Sequence, residues 1–363
     1  MADKTHIEWT DSTWNVITGC TLVSDGCKHC YAATLAATRL KHHPSREGLA
    51  RLNAADEAKF TGEVRFNEQW LEQPLRWRKP RMIFVCAHGD LFHESVPDEW
   101  IDRVFAVMAL APQHTFQVLT KRADRMRAYL SSHDVGQRWA ERTDEIPGSR
   151  VIFPETAISW SKDGLPNVWL GVSVENQEAA DTRIPDLLRT PAAVRFVSAE
   201  PLLGKVVLDC IDIMTEDEYG EFPAYLDALT GRVTVGDFAD QELDAGHQMD
   251  PGIDWVIVGG ESGRNARPMH PDWARSLRDQ CVAAGTKFFF KQWGESRPGS
   301  DLLFDKSTFC MDRSGRVVNA PARKDSFPED AEFNQGWTWM RRVGKRAAGR
   351  LLDGRKWNEV PNA

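Results

Sequence analysis

Short, continuous apolar runs recur along the chain, and each ends in a polar or glycine-containing turn. The six runs are MIFVCAHGDLFH (82–93), FQVLTKRADRM (116–126), VWLGVSVENQE (168–178), VRFVSAEPLLG (194–204), DWVIVGGESG (254–263) and KFFFKQWG (287–294). Apolar runs without alternation are typical of strands that are buried on both faces, as in parallel sheets. Segments with helical spacing, each opening on Pro-Asp, lie between some of them at 97–111 and 271–285. This alternation indicates an α/β barrel or a doubly wound sheet.

Polar side chains lie at or just beyond the predicted carboxyl end of each strand. They are Asp90, Lys121, Arg122, Ser173, Glu175, Asn176, Ser198, Glu200, Glu261, Ser262, Lys291 and Gln292. In α/β folds the loops and helix N-termini converge on that edge of the sheet, which is where active sites form. A further strand, WNVITG, precedes the first cysteines and would project them onto the same edge.

Two stretches interrupt the alternation of strands and helices. Residues 131–165 read as two short helices with a surface loop, and the acidic residues 205–253 read as an insertion at the barrel rim or a disordered loop. GRVTVG inside the second stretch predicts a small hairpin, and the chain becomes irregular beyond residue 295. We therefore predict a partial (β/α)6 TIM-like barrel of parallel strands over 1–295, with helical insertions, and a C-terminal extension with a basic tail over 296–363.

Composition narrows the class of protein. The 363 residues are 42% hydrophobic and 27% charged, enough for one large barrel or two ordinary domains. No apolar run approaches the roughly 20 residues of a membrane span, and the N-terminus lacks a secretory core, so we expect a soluble cytoplasmic protein without membrane contact. In a reducing compartment, clustered cysteines point to a metal site or to catalysis rather than to disulfides.

The formal net charge of −8 argues against a protein that binds nucleic acid over its whole surface. Two local basic runs nevertheless occur, at 121–127 and at 341–356. They are candidates for contacts with nucleic acid phosphates, and the alternative interpretation is that each is a solvated helix face. A protein partner is a further candidate.

Cys20, Cys27 and Cys30 form the spacing C-x6-C-x2-C on a loop that follows the first apolar strand. Three neighbouring thiolates suit a soft metal centre, and an odd number of them leaves one coordination position open. The alternative is a structural zinc site with His29 or a distant side chain as its fourth ligand. The cysteines alone do not decide between the two.

Several segments together resemble a known group of proteins. They are IEWTDSTWNVITGCTLVSDGCKHCYA, GDLFH, VLTKR, GVSVENQ, SAEPLLG, WVIVGGESG, FFFKQWG and AAGRLLDGRKWNEVP. A three-cysteine loop after the first strand of a six-unit barrel resembles the radical S-adenosylmethionine superfamily. More narrowly, the segments are similar to a phage-associated family of unknown function that is known for a three-cysteine motif. The superfamily's usual spacing is C-x3-C-x2-C, so the first gap is longer here.

The resemblance implies that Cys20, Cys27 and Cys30 hold a [4Fe–4S] cluster and that S-adenosylmethionine occupies the open iron. The cofactor's ribose hydroxyls would then need acceptors, for which we expect Ser173, Glu175 and Asn176. The run that contains Gly259, Gly260 and Glu261 is expected to let the backbone approach the cofactor, although strand-end glycines also serve turns alone.

The candidates for holding or acting on the substrate are Asp90, Glu200, Lys291 and Gln292. An alternative role for Asp90 is to cap a helix N-terminus. Glu200 and a lysine, either Lys291 or Lys121, could instead form a purely structural ion pair.

Three hypotheses follow from these features. The first is a radical S-adenosylmethionine-type enzyme that modifies or repairs a nucleic acid or nucleotide, in which the cofactor carries the chemistry. The second is a metal-binding protein, with zinc or a non-catalytic cluster, that docks DNA or a protein partner. The third is a TIM-barrel hydrolase that uses Asp90, Glu175 and Glu200 and needs no metal. This hypothesis gives the three cysteines no role.

Overall fold

The structure of the protein is a computed structural model. It describes residues 5–147, 154–217, 220–235, 251–299, 306–319 and 336–362. Parts of both predicted insertions, at 148–153, 218–219 and 236–250, lie outside these described residues. The fold contains eighteen labelled strands and eight labelled helices within the described part of the chain.

In chain order the strands are β1 Ser12–Trp14, β2 Ile17–Thr18, β3 Ala50–Leu52, β4 Ala58–Phe60, β5 Arg65–Phe66, β6 Met82–Val85, β7 Thr115–Thr120, β8 Val168–Ser173, β9 Val194–Ala199, β10 Ile211–Asp217, β11 Gly220–Asp227, β12 Arg232–Val235, β13 Trp255–Gly259, β14 Lys287–Gln292, β15 Ser296–Pro298, β16 Thr308–Met311, β17 Val317–Asn319 and β18 Thr338–Arg342. The helices are α1 Tyr31–Ala37, α2 Asp98–Leu110, α3 Ala123–Leu130, α4 Val135–Asp144, α5 Pro154–Asp163, α6 Gln177–Leu188, α7 Pro271–Ala284 and α8 Lys345–Ala348.

The chain divides into two compact units. The first comprises Met1–Ser173, Arg183–Phe196 and Asn362–Ala363, and the second comprises Val174–Thr182 and Val197–Pro361. The domain boundary predicted at residue 295 falls inside the second unit, and the division at that residue stays a prediction.

Seven strands form the main sheet, in the order β1-β6-β7-β8-β9-β13-β14. The neighbours β1 and β6, β6 and β7, β7 and β8, and β13 and β14 pair in parallel. With helices between the strands, the protein is a mixed α/β structure, as the sequence predicts. Each of the six predicted strands is present and begins within one residue of the start of its apolar run.

Burial explains why these runs form strands. All six residues of β8 and all five of β13 are buried, which is the environment that a continuous apolar run requires. The predicted first strand is only partly correct. WNVITG divides, so that Trp14 ends β1 beside β6 whereas Ile17 and Thr18 form β2 and pair with β5.

The two predicted helices are confirmed as α2 and α7. Pro271 is the first residue of α7, where its missing N–H would have had no partner within the helix, and Pro97 precedes α2 as its N-cap. His270 caps α7 by accepting a hydrogen bond from the backbone N–H of Asp272 over 3.1 Å. Two helices, α4 and α5, occupy the described part of 131–165, as expected.

The first unit also holds the two-stranded sheets β2-β5 and β3-β4, and two further sheets lie in the second unit. Strands β10, β11 and β12 form a three-stranded antiparallel sheet, so GRVTVG supplies one strand of it, β12. Strands β15, β18, β16 and β17 form a four-stranded sheet. The expectation of irregular structure beyond residue 295 is therefore wrong for the described residues. These strands are only three to five residues long, too short to give a clear hydrophobic period.

Within the described residues, no helix combines the length and the apolar character that crossing a membrane requires.

Gly171 offers a test of the packing inside the first unit. A Cβ added there would lie about 2.5 Å from three ring atoms of Phe196, whereas one added at Gly204 would lie at an ordinary 3.5 Å from Asn176. We expect Gly171→Ala to lower the free energy of unfolding by about 1–3 kcal/mol through overpacking, and Gly204→Ala to lower it far less. Urea denaturation of both variants measures the difference, and equal effects would contradict this description of the core.

Candidate functional site

The cysteine loop, residues 19–30, begins where the first unit brings two segments into contact. Gly19 forms a parallel bridge with Gly89, and its N–H donates to the carbonyl of His88 over 3.1 Å. Gly19 has φ +97°, and an added Cβ would run into the backbone carbonyl of Glu63. Only glycine fits this start of the loop, which lies just beyond the carboxyl end of β6.

Asp90 lies five residues beyond β6 and is buried. The hydroxyl of Thr120 donates to its two carboxylate oxygens over 2.8 and 3.0 Å, and the backbone N–H of Phe92 donates over 3.0 Å. Arg122 adds a charged hydrogen bond of 3.0 Å. The carboxylate of Asp90 is thus occupied by the protein's own donors, an arrangement that suits a positioning role better than that of a free base.

Arg122 connects this carboxylate to the cysteine loop. Its guanidinium donates to Thr21 Oγ1 over 2.6 Å, to Cys20 Sγ over 3.5 Å and to Glu94 Oε1 over 2.8 Å. The side chain is only 5% exposed. Burial by itself lowers the pKa of Arg122, but the hydrogen bond to Glu94 and the charge of Asp90 raise it overall, so the guanidinium stays charged.

The three thiols of the loop are partly exposed and are not joined in disulfides. Burial raises the pKa of Cys20 to about 12, the charge of Asp90 adds to the rise, and Arg122 opposes it. Burial also raises the pKa of Cys30, while the backbone amides of Ala32 and Ala33 oppose the rise. With only Arg122 and Lys121 as opposing cations, the thiols of Cys20 and Cys30 are therefore favoured in the neutral form.

The loop supplies the donor chemistry of a metal centre. The charge of Cys27 acts on both Cys20 and Cys30, so the three sulfurs share one electrostatic neighbourhood. Thiols such as those of Cys20 and Cys30, whose pKa burial raises, suit an iron–sulfur cluster, because metal coordination deprotonates them. As the side chains are placed, no group of three or more His, Cys, Asp or Glu residues could hold a metal ion in the part of the chain that the structure describes. The metal ligands therefore stay a prediction.

A second polar contact supports the rim of the loop. The Arg46 guanidinium donates to His88 Nδ1 over 2.9 and 3.1 Å, and the His88 ring meets the edge of the Tyr31 ring with centroids 6.0 Å apart. Burial, aided by the charge of Arg46, lowers the pKa of His88 to about 4. His88 is thus neutral at pH 7 and serves as a hydrogen-bond acceptor.

In the second unit, Glu200 and Lys291 bind each other. Lys291 Nζ donates to Glu200 Oε2 over 3.1 Å, and the hydroxyl of Ser198 donates to the same oxygen over 3.3 Å. Both charged side chains are largely buried, at 14% and 17% exposure. The structure thus contains the ion pair that the sequence left open as an alternative. A role of either residue toward a substrate stays a prediction.

The glycines at the end of β13, Gly259 and Gly260, are needed for packing within the second unit. A Cβ on Gly259 would collide with the carboxylate of Glu200, and one on Gly260 would collide with the backbone carbonyl of Trp293. Glu261 accepts from the Arg267 backbone N–H over 2.8 Å and forms an ion pair with its guanidinium at 2.6 Å. Packing and the ion pair thus explain Gly259, Gly260 and Glu261 without invoking a ligand. That these residues approach a cofactor stays a prediction.

Ser173, Glu175 and Asn176 lie at the end of β8, as predicted, and the first two are buried. The carbonyl of Ser173 accepts from Arg183 over 2.7 Å, and that of Glu175 accepts from Leu203 N–H over 2.8 Å. Asn176 Oδ1 accepts from the N–H of Ala179 over 3.0 Å, so this side chain caps α6. That these three residues contact the ribose of S-adenosylmethionine stays a prediction.

Sequence reasoning named Arg122 only as one of the strand-end polar residues and missed its central position. The signal was present, since VLTKR places two cations directly after β7 and Asp90 stands beyond β6. Gln292, which the sequence analysis named among the strand-end residues, has a buried Oε1 without a hydrogen-bond partner among the described residues. A buried amide oxygen of this kind costs free energy unless a donor reaches it.

The chain matches the model of the DUF5131 family, described as proteins of unknown function, over residues 4–361. It belongs to this family. No curated protein and no solved structure matches the chain. The DUF5131 family has no assigned function, so the chemistry of the site follows from its residues alone.

Breaking the Asp90–Arg122 pair should unfold this DUF5131 protein more easily. Asp90→Ala leaves a buried guanidinium with one carboxylate partner fewer, so we expect a loss of about 3–5 kcal/mol. The matched control is Glu68→Ala, which breaks the more exposed pair with Arg103 and should cost at most about 1 kcal/mol. Chemical denaturation measures both, and a loss for Asp90→Ala no larger than the control's would contradict the anchoring role.

The neutral state of His88 predicts a pH dependence. The pKa of His88 is lowered to about 4 in the folded protein, whereas a histidine of the unfolded chain has a pKa near 6.5. Between these two pH values the unfolded chain therefore binds more protons than the folded protein. Stability should therefore be lost as pH falls from about 6.5 to 4, by on the order of 3 kcal/mol from this group.

His88→Gln should flatten that part of the stability profile, whereas His42→Gln, at an exposed histidine, should leave it unchanged. Urea denaturation at several pH values measures the slope. An unaltered slope in His88→Gln would show that other groups produce the pH dependence.

Proposed function

We propose that this protein is a radical S-adenosylmethionine-type [4Fe–4S] enzyme that modifies or repairs a nucleic acid or nucleotide. The observation that carries the proposal is the cysteine loop itself, in which three thiols share one electrostatic neighbourhood beyond the carboxyl end of β6. That edge of an α/β sheet is where such folds carry out chemistry. The proposal includes a partial TIM-like barrel and a cytoplasmic location.

In this proposal Cys20, Cys27 and Cys30 would hold the cluster. Given one electron from a chemical or protein reductant, the bound cluster would cleave a C–S bond of S-adenosylmethionine, releasing methionine and supplying a 5′-deoxyadenosyl radical that takes hydrogen from a carbon of the substrate. Arg122 is held by Asp90 and Glu94. It fixes Cys20 by donating hydrogen bonds to the Cys20 sulfur and to the neighbouring Thr21 hydroxyl, and it keeps a positive charge beside that sulfur. A cation there favours thiolates and offsets the negative charge that three of them bring.

In the second unit, Glu200 and Lys291 carry opposite charges that are largely shielded from water. Such a pair could exchange partners with a polar ligand that offers an opposite charge or a hydrogen bond to each side chain. The Oε1 of Gln292, which has no hydrogen-bond partner in the described part of the chain, would accept a hydrogen bond from a ligand N–H. We assign substrate or cofactor binding to these side chains as part of the proposal, with Ser173, Glu175, Asn176, Gly259, Gly260 and Glu261 as the cofactor-binding candidates.

The second candidate function is a metal-binding interaction protein, with zinc or a non-catalytic cluster. The hydrogen bonds of the Asp90 carboxylate favour this second function. Both of its oxygens already accept hydrogen bonds from Thr120 or Arg122, which makes the carboxylate a poor general base. This alternative predicts zinc in the protein and no affinity for S-adenosylmethionine.

Reconstitution under anaerobic conditions with iron and sulfide tests the first proposal. We expect a broad visible absorption band and, after chemical reduction, cleavage of S-adenosylmethionine to 5′-deoxyadenosine and methionine. Cys20→Ala, Cys27→Ala and Cys30→Ala should each abolish both signals, because each removes one of three cluster ligands.

Cys210→Ala is the matched control, since this cysteine is exposed and lies in the second unit. It should retain the absorption band and the cleavage activity. Cleavage that survives all three loop substitutions, or a wild-type protein that takes up zinc alone, would refute the proposal.

A further inference from the structure

We propose that a single nucleic acid strand docks on the surface beside the cysteine loop, formed by residues 21–23, 28–31 and 38–52 of the first unit. This inference deepens the proposed function and rests on it for the idea that the loop meets a substrate. The basic run 121–127 is not a main contact in this arrangement, and the run 341–356 supplies the comparison in the experiment below.

The run 121–127 has its charges largely engaged within the first unit. Arg122 pairs with Asp90 and Glu94, Arg125 pairs with Asp98 at 2.9 Å, and Arg127 pairs with Asp186 at 2.8 Å. An arginine that already neutralises a carboxylate releases few counterions from a phosphate. This run therefore contributes little free positive charge.

The surface beside the loop differs in charge. Residues 28–51 contain five Lys or Arg residues and three histidines but one acidic residue, in a chain of net charge −8. Lys28, Arg39, Lys41 and Arg51 are exposed, as is the single acid, Glu47. Arg46 is buried and bound to His88. A local excess of exposed cations on an acidic protein is complementary to a polyanion.

The same surface presents apolar groups to solvent. Leu22, Val23 and Tyr31 are 48%, 42% and 49% exposed, and all three lie within or next to the cysteine loop. Exposed aromatic and apolar side chains among cations are typical of proteins that bind single strands, because unpaired bases can stack on them. A duplex offers no such base faces, so the combination favours a single strand.

Local contacts hold these parts together in one substructure. The β3–β4 hairpin packs on α1, and Lys59 Nζ donates to the carbonyl of Lys28 over 3.1 Å. The hydroxyl of Thr18 donates to the carbonyl of Ser45 over 2.8 Å, which ties the segment after α1 to the strand before the loop. Helix α1 is seven residues, or about 10 Å, long, so phosphates near Arg39 and Lys41 would place neighbouring nucleotides toward Cys30.

Fluorescence anisotropy with a labelled single-stranded DNA of about 15 nucleotides tests the inference on the full-length protein. We expect Arg39→Ala/Lys41→Ala/Arg51→Ala to weaken binding at least about tenfold and to reduce the slope of log affinity against log salt by about 2. Tyr31→Ser should weaken binding about fivefold or more through lost stacking. Circular dichroism checks that each variant is folded.

The matched control removes three exposed cations elsewhere, in Lys345→Ala/Arg346→Ala/Lys356→Ala. It changes the net charge equally and should retain most of the affinity. An equal loss in the control, preference for duplex over single strand, or no binding by the wild type would overturn the inference. Self-association through Leu22 and Val23, seen as a dimer in sedimentation that Leu22→Ser/Val23→Ser abolishes, would also overturn it.

Cleavage of S-adenosylmethionine is measured on the same preparations, so that the two proposals fail separately. Cleavage that persists in the surface variants, with binding lost, supports the inference. Strand binding that depends on the surface in a protein without cleavage activity leaves the docking surface standing and refutes the enzyme.

Discussion

The buried guanidinium of Arg122 is the interaction on which the candidate site depends. It joins the carboxylate beyond β6, the end of β7 and the first residues of the cysteine loop through hydrogen bonds of 2.6 to 3.5 Å. A buried positive charge is tolerated only when its partners stay in place, so these segments are fixed relative to one another. The loop between Cys20 and Cys30 can then present thiols and apolar side chains to solvent without losing its position.

This constraint links the two chemical properties of the loop. The same cation that orients Thr21 also opposes the rise that burial and Asp90 produce in the pKa of Cys20. A metal centre would add further positive charge and complete the neutralisation of the thiolates. In the proposed enzyme, the cations outside the loop, Arg39 and Lys41, then serve a different purpose, which is to attract the phosphates of the substrate.

The sequence predicted the main sheet well and the side-chain contacts poorly, for a physical reason. A strand buried on both faces leaves a continuous apolar run, so β6, β7, β8, β9, β13 and β14 could be found from the chain alone. The cysteines are local in sequence, so their shared loop was also readable. Whether Asp90 faces Arg122 or a ligand depends on packing between segments more than 30 residues apart, which no local pattern reports. The collisions that make Gly259 and Gly260 necessary are of the same kind.

Iron and zinc content of anaerobically purified protein is the most direct test of the central claim that the three loop cysteines hold a redox cluster. We expect about four irons and matching sulfide per chain, as a [4Fe–4S] cluster requires, with no stoichiometric zinc. One zinc per chain and no iron would contradict it.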